Sequence, residues 1–176
     1  ILIEKLHTQL PQLGLELYRT IALALLRQNN WEKGNYICEV GVQYASSLGS
    51  ELKGSLLRII QEKQLLLQIT QSAILTYAMQ YEKAIHVCIS GLQISQKLKS
   101  LRCTLGFLIN ASICNIEIGN RNDAQRYITQ CGQYMSQGLA RADSKAYFSL
   151  VQGQLAIERG EYENGFSRLD EAIAQG

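Results

Sequence analysis

The hexapeptide MQYEKA at residues 79–84 lies between two stretches with helical apolar spacing, and its pattern occurs four times along the chain. The other copies are NNWEKG at 29–34, GNRNDA at 119–124 and GEYENG at 160–165. We call the third residue of each copy the anchor of its repeat. The anchors are Trp31, Tyr81, Arg121 and Tyr162, which are 50, 40 and 41 residues apart. A period of about forty residues is long enough for two helices joined by a turn.

Small residues recur at three fixed distances from the anchors. Every residue nine before, three after or ten after an anchor is Gly, Ala, Ser or Cys. Small side chains are needed where two helices cross closely, because larger ones push the backbones apart. The pattern therefore predicts stacked antiparallel helix hairpins. In the same order, the residues are Ala22, Ser72, Ser112 and Gly153; Gly34, Ala84, Ala124 and Gly165; and Gly41, Gly91, Cys131 and Ala172.

Apolar residues occupy a second set of equivalent positions. A separation of seven residues is two helical turns, so residues fourteen and seven before an anchor share one helix face. These residues are Leu17, Leu67, Phe107 and Phe148, then Ala24, Ile74, Cys114 and Leu155; seven after the anchors stand Cys38, Cys88, Ile128 and Leu169. The spacing predicts helices over 12–29 and 32–48, 51–79 and 82–98, 101–118 and 121–137, and 143–159 and 162–175.

Three features refine these boundaries. The extra residues 52–61 of the second repeat either lengthen one helix or form a separate short helix, with Gly54 as a possible break. Ser50, Ser100 and Asp143 are candidate N-caps, and Gly49 is a candidate helix stop.

The small-residue pattern together with Gly-x-Tyr-x-x-Ala at the turn resembles the tetratricopeptide repeat family, over residues 12–175. The units resemble its longer, forty-residue varieties. Arg121 departs from the aromatic anchor, Asn29 and Met79 depart from the turn glycine, and no unit ends in the usual proline. The resemblance implies an all-α fold, a right-handed superhelix (α-solenoid) of stacked antiparallel hairpins. We expect about four helix pairs in 11–176, an earlier helix end or cap in 1–10, and a larger parent protein.

Composition narrows the class of protein. The 176 residues are 47% hydrophobic and 18% charged with a net charge of +2, so no strong positive field favours nucleic acid. The longest apolar runs are about six residues, well below the ~20 of a membrane-spanning helix. Five cysteines without a C-x-x-C pair argue against a disulfide framework or a zinc site. We expect an intracellular protein, cytoplasmic or nuclear.

No motif indicates catalysis. The sequence contains no G-x-S-x-G elbow, no phosphate-binding G-x-x-x-x-G-K-[ST] loop and no H-E-x-x-H helix. Its two histidines are His7 and His86, and His86 is two residues from Cys88, so the two side chains point to different helix faces. We expect no catalytic residue, cofactor or metal ion.

The resemblance also implies a concave groove lined by residues twelve, eight and five before each anchor. This groove is mostly apolar, and Tyr77, Asn110 and Gln154 are candidates for setting the register of a partner. Family members that bind a terminal carboxylate present Lys, Arg and Asn from several units. This groove offers chiefly Arg19 and Asn110, so such a clamp is not expected. The lining residues are Arg19, Leu23 and Leu26; Ile69, Ala73 and Thr76; Ile109, Ile113 and Ile116; and Leu150, Gln154 and Ile157.

The leading hypothesis is a noncatalytic scaffold that binds a partner protein or peptide in this groove. The expected partner is an amphipathic helix or an extended apolar segment, with no nucleic acid and no membrane. Alternatively, the parent protein or a second copy of the chain covers the groove permanently, so self-association stays open. The alternative function is an effector- or peptide-sensing region of a larger signalling or transcription regulator.

Overall fold

The computed structural model describes residues 10–49, 52–136 and 142–175. The described residues form eight α-helices and no strand, which confirms the prediction of an all-α protein. None of these helices combines the length and the apolar character needed to cross a membrane. The helices are α1 Pro11–Arg27, α2 Trp31–Leu48, α3 Gly54–Tyr77, α4 Tyr81–Lys97, α5 Leu101–Glu117, α6 Arg121–Met135, α7 Ala142–Glu158 and α8 Tyr162–Gln175.

The extra residues of the second repeat lengthen one helix. Helix α3 runs without interruption for 24 residues and begins at Gly54, whose φ of +65° suits glycine. Ser100 precedes α5 but makes no side-chain cap, and Asp143 lies inside the first turn of α7, where its carboxylate accepts from the Ser144 N–H. Gly49 follows α2 in a right-handed conformation. The predicted cap Ser50 and segment 1–9 lie outside the described residues.

The four turns before the anchors share one backbone geometry. The residue two before each anchor has a positive φ, whether it is Gly119, Gly160, Asn29 or Met79. In each turn the N–H just before the anchor bonds to the carbonyl five residues earlier, at 2.8–2.9 Å, as in Gln80 to Leu75. This bond closes the helix end in the manner of a Schellman motif. Asn29 and Met79 therefore adopt the turn even though they lack the freedom of glycine.

The chain divides into two compact units, one ending at Gln80 and one beginning at Tyr81. In unit 1, the helices α1, α2 and α3 pack against one another. Their shared core is built from Leu15, Tyr18, Ala22, Cys38, Ala45, Ile60, Leu67 and Ile74.

Unit 2 is organised around α5. This helix packs against α4, α6 and α7, and eleven of its seventeen residues are buried. Helix α7 also packs against α6 and α8. In both units, therefore, a second helix of one hairpin contacts the first helix of the next, and first helices of successive hairpins contact each other.

Eleven of the twelve small residues are buried, and Ala172 in α8 is half-buried. In the last hairpin, Gly153 and Gly165 pack within the hairpin: a Cβ on Gly165 would lie 2.5 Å from Ile157 Cγ1. Gly34, three after its anchor, instead faces Ile74 of the next first helix, at 3.1 Å from an added Cβ. Those ten after an anchor also receive the next hairpin, because a Cβ on Gly41 would lie 3.0 Å from Leu67 Cδ1. Five of these residues, the glycines, lie in close helix contacts; for the other seven the predicted role stays a prediction.

The predicted apolar stripe is incomplete in α1. Ala24 is exposed, whereas its equivalents Ile74, Cys114 and Leu155 are buried. In α3 this position packs on the preceding hairpin, where Ile74 faces Gly34. No described helix precedes α1, so Ala24 has no such surface to cover it.

Replacing Gly91 with alanine is expected to destabilise unit 2. The new Cβ would lie 2.5 Å from Cε1 of Phe107, a ring that is fully buried and has no room to move. We expect Gly91→Ala to lower the free energy of unfolding by about 1–3 kcal/mol, measured by urea denaturation followed by circular dichroism.

Gly132→Ala is the matched control, because its Cβ would meet Phe148 at an ordinary 3.5 Å. This change is expected to raise the free energy of unfolding by about 0.5–1 kcal/mol through helix propensity. Equal effects of the two substitutions would contradict the close contact at Gly91.

Candidate functional site

The predicted groove residues of the first two repeats lie together in unit 1. They occupy α1 and α3, which pack against each other. We call this set the unit 1 face: Arg19, Leu23, Leu26, Ile69, Ala73, Thr76 and Tyr77.

The remaining predicted residues lie together in unit 2. They occupy α5 and α7, which are also in contact. We call this set the unit 2 face: Ile109, Asn110, Ile113, Ile116, Leu150, Gln154 and Ile157.

The two faces are less open than the sequence predicts. Most of their side chains are half-buried, and Tyr77, 64% exposed, is the one member that stands well into solvent. Ile109 and Ile116 are only 6% and 7% exposed. They are core residues because α4, α6 and α7 surround α5. Ile109 and Ile116 therefore do not line an open groove, which corrects the prediction for these two residues. Most other residues of the two faces are half-buried.

A small charge cluster joins α1 and α3 beside the unit 1 face. The Glu16 carboxylate accepts a hydrogen bond from the Lys63 ammonium group and lies 3.8 Å from Nη1 of Arg19. Neither Glu16 nor Lys63 is marked by any pattern in the sequence. They are 47 residues apart, so no local pattern links them, and only the packing of α1 on α3 brings them together.

Three buried polar atoms have no hydrogen-bond partner within the described residues. Two belong to predicted face residues, Nε of Arg19 and Oε1 of Gln154, and the third is Oε1 of Gln68 on α3. An unpaired buried donor or acceptor costs about 1–3 kcal/mol. A partner that supplied the missing hydrogen bond would remove this cost.

Each anchor contacts the residue four before the next anchor. In unit 1, Trp31 stacks on Tyr77 with ring centroids 5.8 Å apart and planes at 9°. In unit 2, Arg121 forms an ion pair with Glu158 at 3.2 Å. The departure of Arg121 from an aromatic anchor is therefore matched by an acidic residue on the neighbouring hairpin.

The third anchor contact joins Tyr81 to Glu117 in unit 2. The Tyr81 hydroxyl donates a hydrogen bond to the Glu117 carboxylate. Burial, and then the negative charge of Glu117, raise the pKa of Tyr81. These contacts give Glu117 and Glu158 a structural role at the hairpin joints.

The cysteines have the environment of core residues. All five are buried, and none is in a disulfide. Burial raises the pKa of Cys38 and of Cys131 to about 12, so both are protonated thiols near neutral pH. A thiol of this kind is a poor nucleophile. No group of three His, Cys, Asp or Glu residues suited to a metal ion occurs in the described ranges.

A polar cleft of about 140 Å³ lies among α6, α7 and α8. Two of its polar groups are engaged by residues close in sequence: Arg168 pairs with Glu171 at 2.9 Å, and the Asn164 amide donates to Glu161, just before α8, at 3.2 Å. None of the residues that line the cleft belongs to the unit 1 face or the unit 2 face, although α7 contributes residues both to the cleft and to the unit 2 face. Its lining residues are Gln125, Ile128, Gln152, Leu155, Ala156, Arg159, Glu161, Asn164 and Arg168.

Comparisons with protein-family models, with curated proteins and with solved structures give no match for this chain.

Trp31 is the only tryptophan, so its fluorescence reports on the stack with Tyr77. We expect Tyr77→Ala to shift the emission of Trp31 and to lower the free energy of unfolding by about 1 kcal/mol, because an aromatic pair contributes ~0.5–1.5 kcal/mol. Tyr77→Phe preserves the ring and is expected to leave both unchanged. If Tyr77→Phe has the same effect as Tyr77→Ala, the hydroxyl rather than the stack is responsible.

The raised thiol pKa values predict a loss of stability at alkaline pH. The folded protein holds protons on Cys38 and Cys131 up to about pH 12, whereas the unfolded chain releases them near pH 9. The contribution of these thiols to the free energy of unfolding is therefore complete below pH 9 and declines as the pH rises to about 12. The pH dependence of the unfolding free energy should be shallower in the double variant Cys38→Ala, Cys131→Ala. An unchanged pH dependence would contradict the burial of these thiols as the cause.

Proposed function

We propose that the chain is a noncatalytic protein-interaction module, built as a right-handed superhelix (α-solenoid) of stacked antiparallel hairpins like those of tetratricopeptide repeats. The repeated contacts within each unit support this architecture. Second helices meet the first helices of following hairpins at small residues, and each anchor meets a complementary residue four before the next anchor. Successive first helices in contact form the concave side of such a stack.

The observation that carries the binding function is the pair of unpartnered polar atoms on the two faces. Arg19 Nε is a donor and Gln154 Oε1 is an acceptor, and neither has a hydrogen-bond partner within the described residues. Both atoms are buried in the unbound chain, so the proposal requires each side chain to turn toward the partner; a bound peptide then offers both complements, since each backbone unit carries a carbonyl and an N–H. On the unit 1 face the proposed partner accepts from Arg19, and on the unit 2 face it donates to Gln154.

Apolar contacts supply the rest of the proposed affinity. Leu23 and Ile69 in unit 1, and Ile113 and Leu150 in unit 2, are half-buried and retain apolar surface that a partner covers. Covering such surface contributes about 25 cal/mol per Å². An amphipathic helix or an extended apolar segment has the required mixture of apolar side chains and backbone polar groups.

The decisive variant is Gln154→Met, which keeps the shape of the side chain and removes its unpaired acceptor. Peptides are first selected against the chain from a phage-displayed random library, and we expect enrichment of peptides with apolar residues on one helical or extended face. Gln154→Met is expected to weaken binding of the selected peptide about five- to tenfold, measured by calorimetry, because one hydrogen bond contributes ~1 kcal/mol. Its free energy of unfolding should stay equal or rise, because a buried atom without a partner has been removed.

The control is Gln152→Met, the same substitution on the same helix at a residue of the polar cleft. It should leave peptide binding unchanged. Failure to enrich any peptide, or equal binding by the two variants, would overturn the proposed binding face.

A further inference from the structure

The outer side of α8 carries an apolar stripe that the rest of unit 2 leaves uncovered. Tyr162, Phe166 and Ile173 are separated by four and seven residues and therefore share one helix face. They are 60%, 59% and 78% exposed. Within the described part of unit 2, α8 packs against α7 alone.

The equivalent side of an earlier second helix is an established interface. Relative to its anchor, α2 has Trp31, Asn35 and Val42 at these three positions, and all three are half-buried. Helix α3 covers this side: Tyr77 stacks on Trp31, and the Gln71 amide donates to Asn35 at 3.0 Å. In unit 2, α7 covers α6 in the same way, with Glu158 on Arg121. The occupant of such a face in this chain is thus the first helix of a hairpin.

A matching face that none of the described helices covers exists on α1. Leu10, Leu13, Leu17 and Ala24 follow one another at spacings of three, four and seven, which places them on one stripe. Leu10 and Leu13 are 43% and 48% exposed, and Ala24 is exposed. In α3 the equivalents of Leu17 and Ala24 are Leu67 and Ile74, which face Gly41 and Gly34 of the preceding second helix, but no described helix plays that part for α1.

The charges at the joint are complementary as well. Arg27 stands four before the anchor Trp31, at the position that contacts the preceding anchor in the other hairpins. If α1 of one molecule packed on α8 of another, that position would bring Arg27 to Tyr162 and to the exposed carboxylate of Glu163 beside it. A guanidinium over a tyrosine ring already occurs in this chain, where Arg126 lies 5.0 Å from the centroid of Tyr127.

We propose that the exposed face of α8 binds α1 of a second copy of this chain, head to tail. The contact continues the hairpin stack from one molecule to the next, using the interface that α3 makes with α2. Because the two surfaces are different, a pair of molecules joined by one contact still has one unused copy of each surface, so the contact can be repeated with further molecules. Three large side chains make a small interface, so the dissociation constant is expected to be weak, on the order of 100 μM. The proposal does not depend on the peptide-binding function.

Sedimentation velocity over a range of concentrations tests this contact. The chain should sediment as a 19.7 kDa monomer when dilute and increase in average mass with concentration. Phe166→Asp on α8 and Leu13→Asp on α1 should each remain monomeric. Both sites are exposed, and Leu13 lies in the first turn of α1, where an acidic side chain favours the helix, so folding is preserved. Ile89→Asp, at an exposed site on α4 outside both stripes, should associate like the wild type.

A mixture of the two monomeric variants gives the sharpest result. Phe166→Asp retains its α1 stripe and Leu13→Asp retains its α8 stripe, so the mixture should form a dimer of twice the monomer mass and stop there. A wild-type chain that stays monomeric at all concentrations would overturn the proposal. So would self-association by Leu13→Asp alone, which would indicate that α8 pairs with α8, or a mixture that does not dimerise.

Discussion

The close approach of helix backbones at small residues is the constraint on which the structure depends. At Gly91 the ring of Phe107 occupies the space that a Cβ would need, and at Gly41 the side chains of Leu67 and Tyr18 do the same. These contacts let a large apolar side chain of one hairpin lie against the backbone of its neighbour. Dense packing of this kind stabilises the unit by dispersion and by burial of apolar surface. It also makes the hairpins stack in one register, because a ring fits only where a side chain is missing.

The joints between hairpins allow more chemical variety than the core. The three anchor contacts are an aromatic stack, a hydrogen bond from a tyrosine to a carboxylate, and an ion pair. They occupy equivalent sequence positions, and their chemistry differs from joint to joint. Such exposed contacts contribute little to stability individually, about 0–1 kcal/mol for an ion pair. Because the two side chains at each joint are complementary, they favour one order of hairpins over another. A different order would place side chains that do not complement each other in contact.

The candidate binding faces and the end faces have different physical properties. The unit 1 and unit 2 faces are half-buried and contain polar atoms whose hydrogen-bonding capacity is unused, which suits recognition of a peptide backbone. The end faces on α8 and α1 are exposed apolar stripes at helical spacing, which suits the packing of another helix. Exposed apolar stripes of this kind are uncommon on isolated domains unless they serve an interface. The two kinds of surface therefore favour two independent interactions.

Helices, turns and small contact positions could be predicted from the sequence because they depend on local periodicity and on backbone preferences within a few residues. Even the departures from a consensus turn at Asn29 and Met79 left the hairpins in place. The accessibility of Ile109 and Ile116, the cluster of Lys63, Glu16 and Arg19, and the pairing of Arg121 with Glu158 were decided only by tertiary structure. Each depends on distances between side chains that are remote in sequence, and a one-dimensional pattern does not contain those distances.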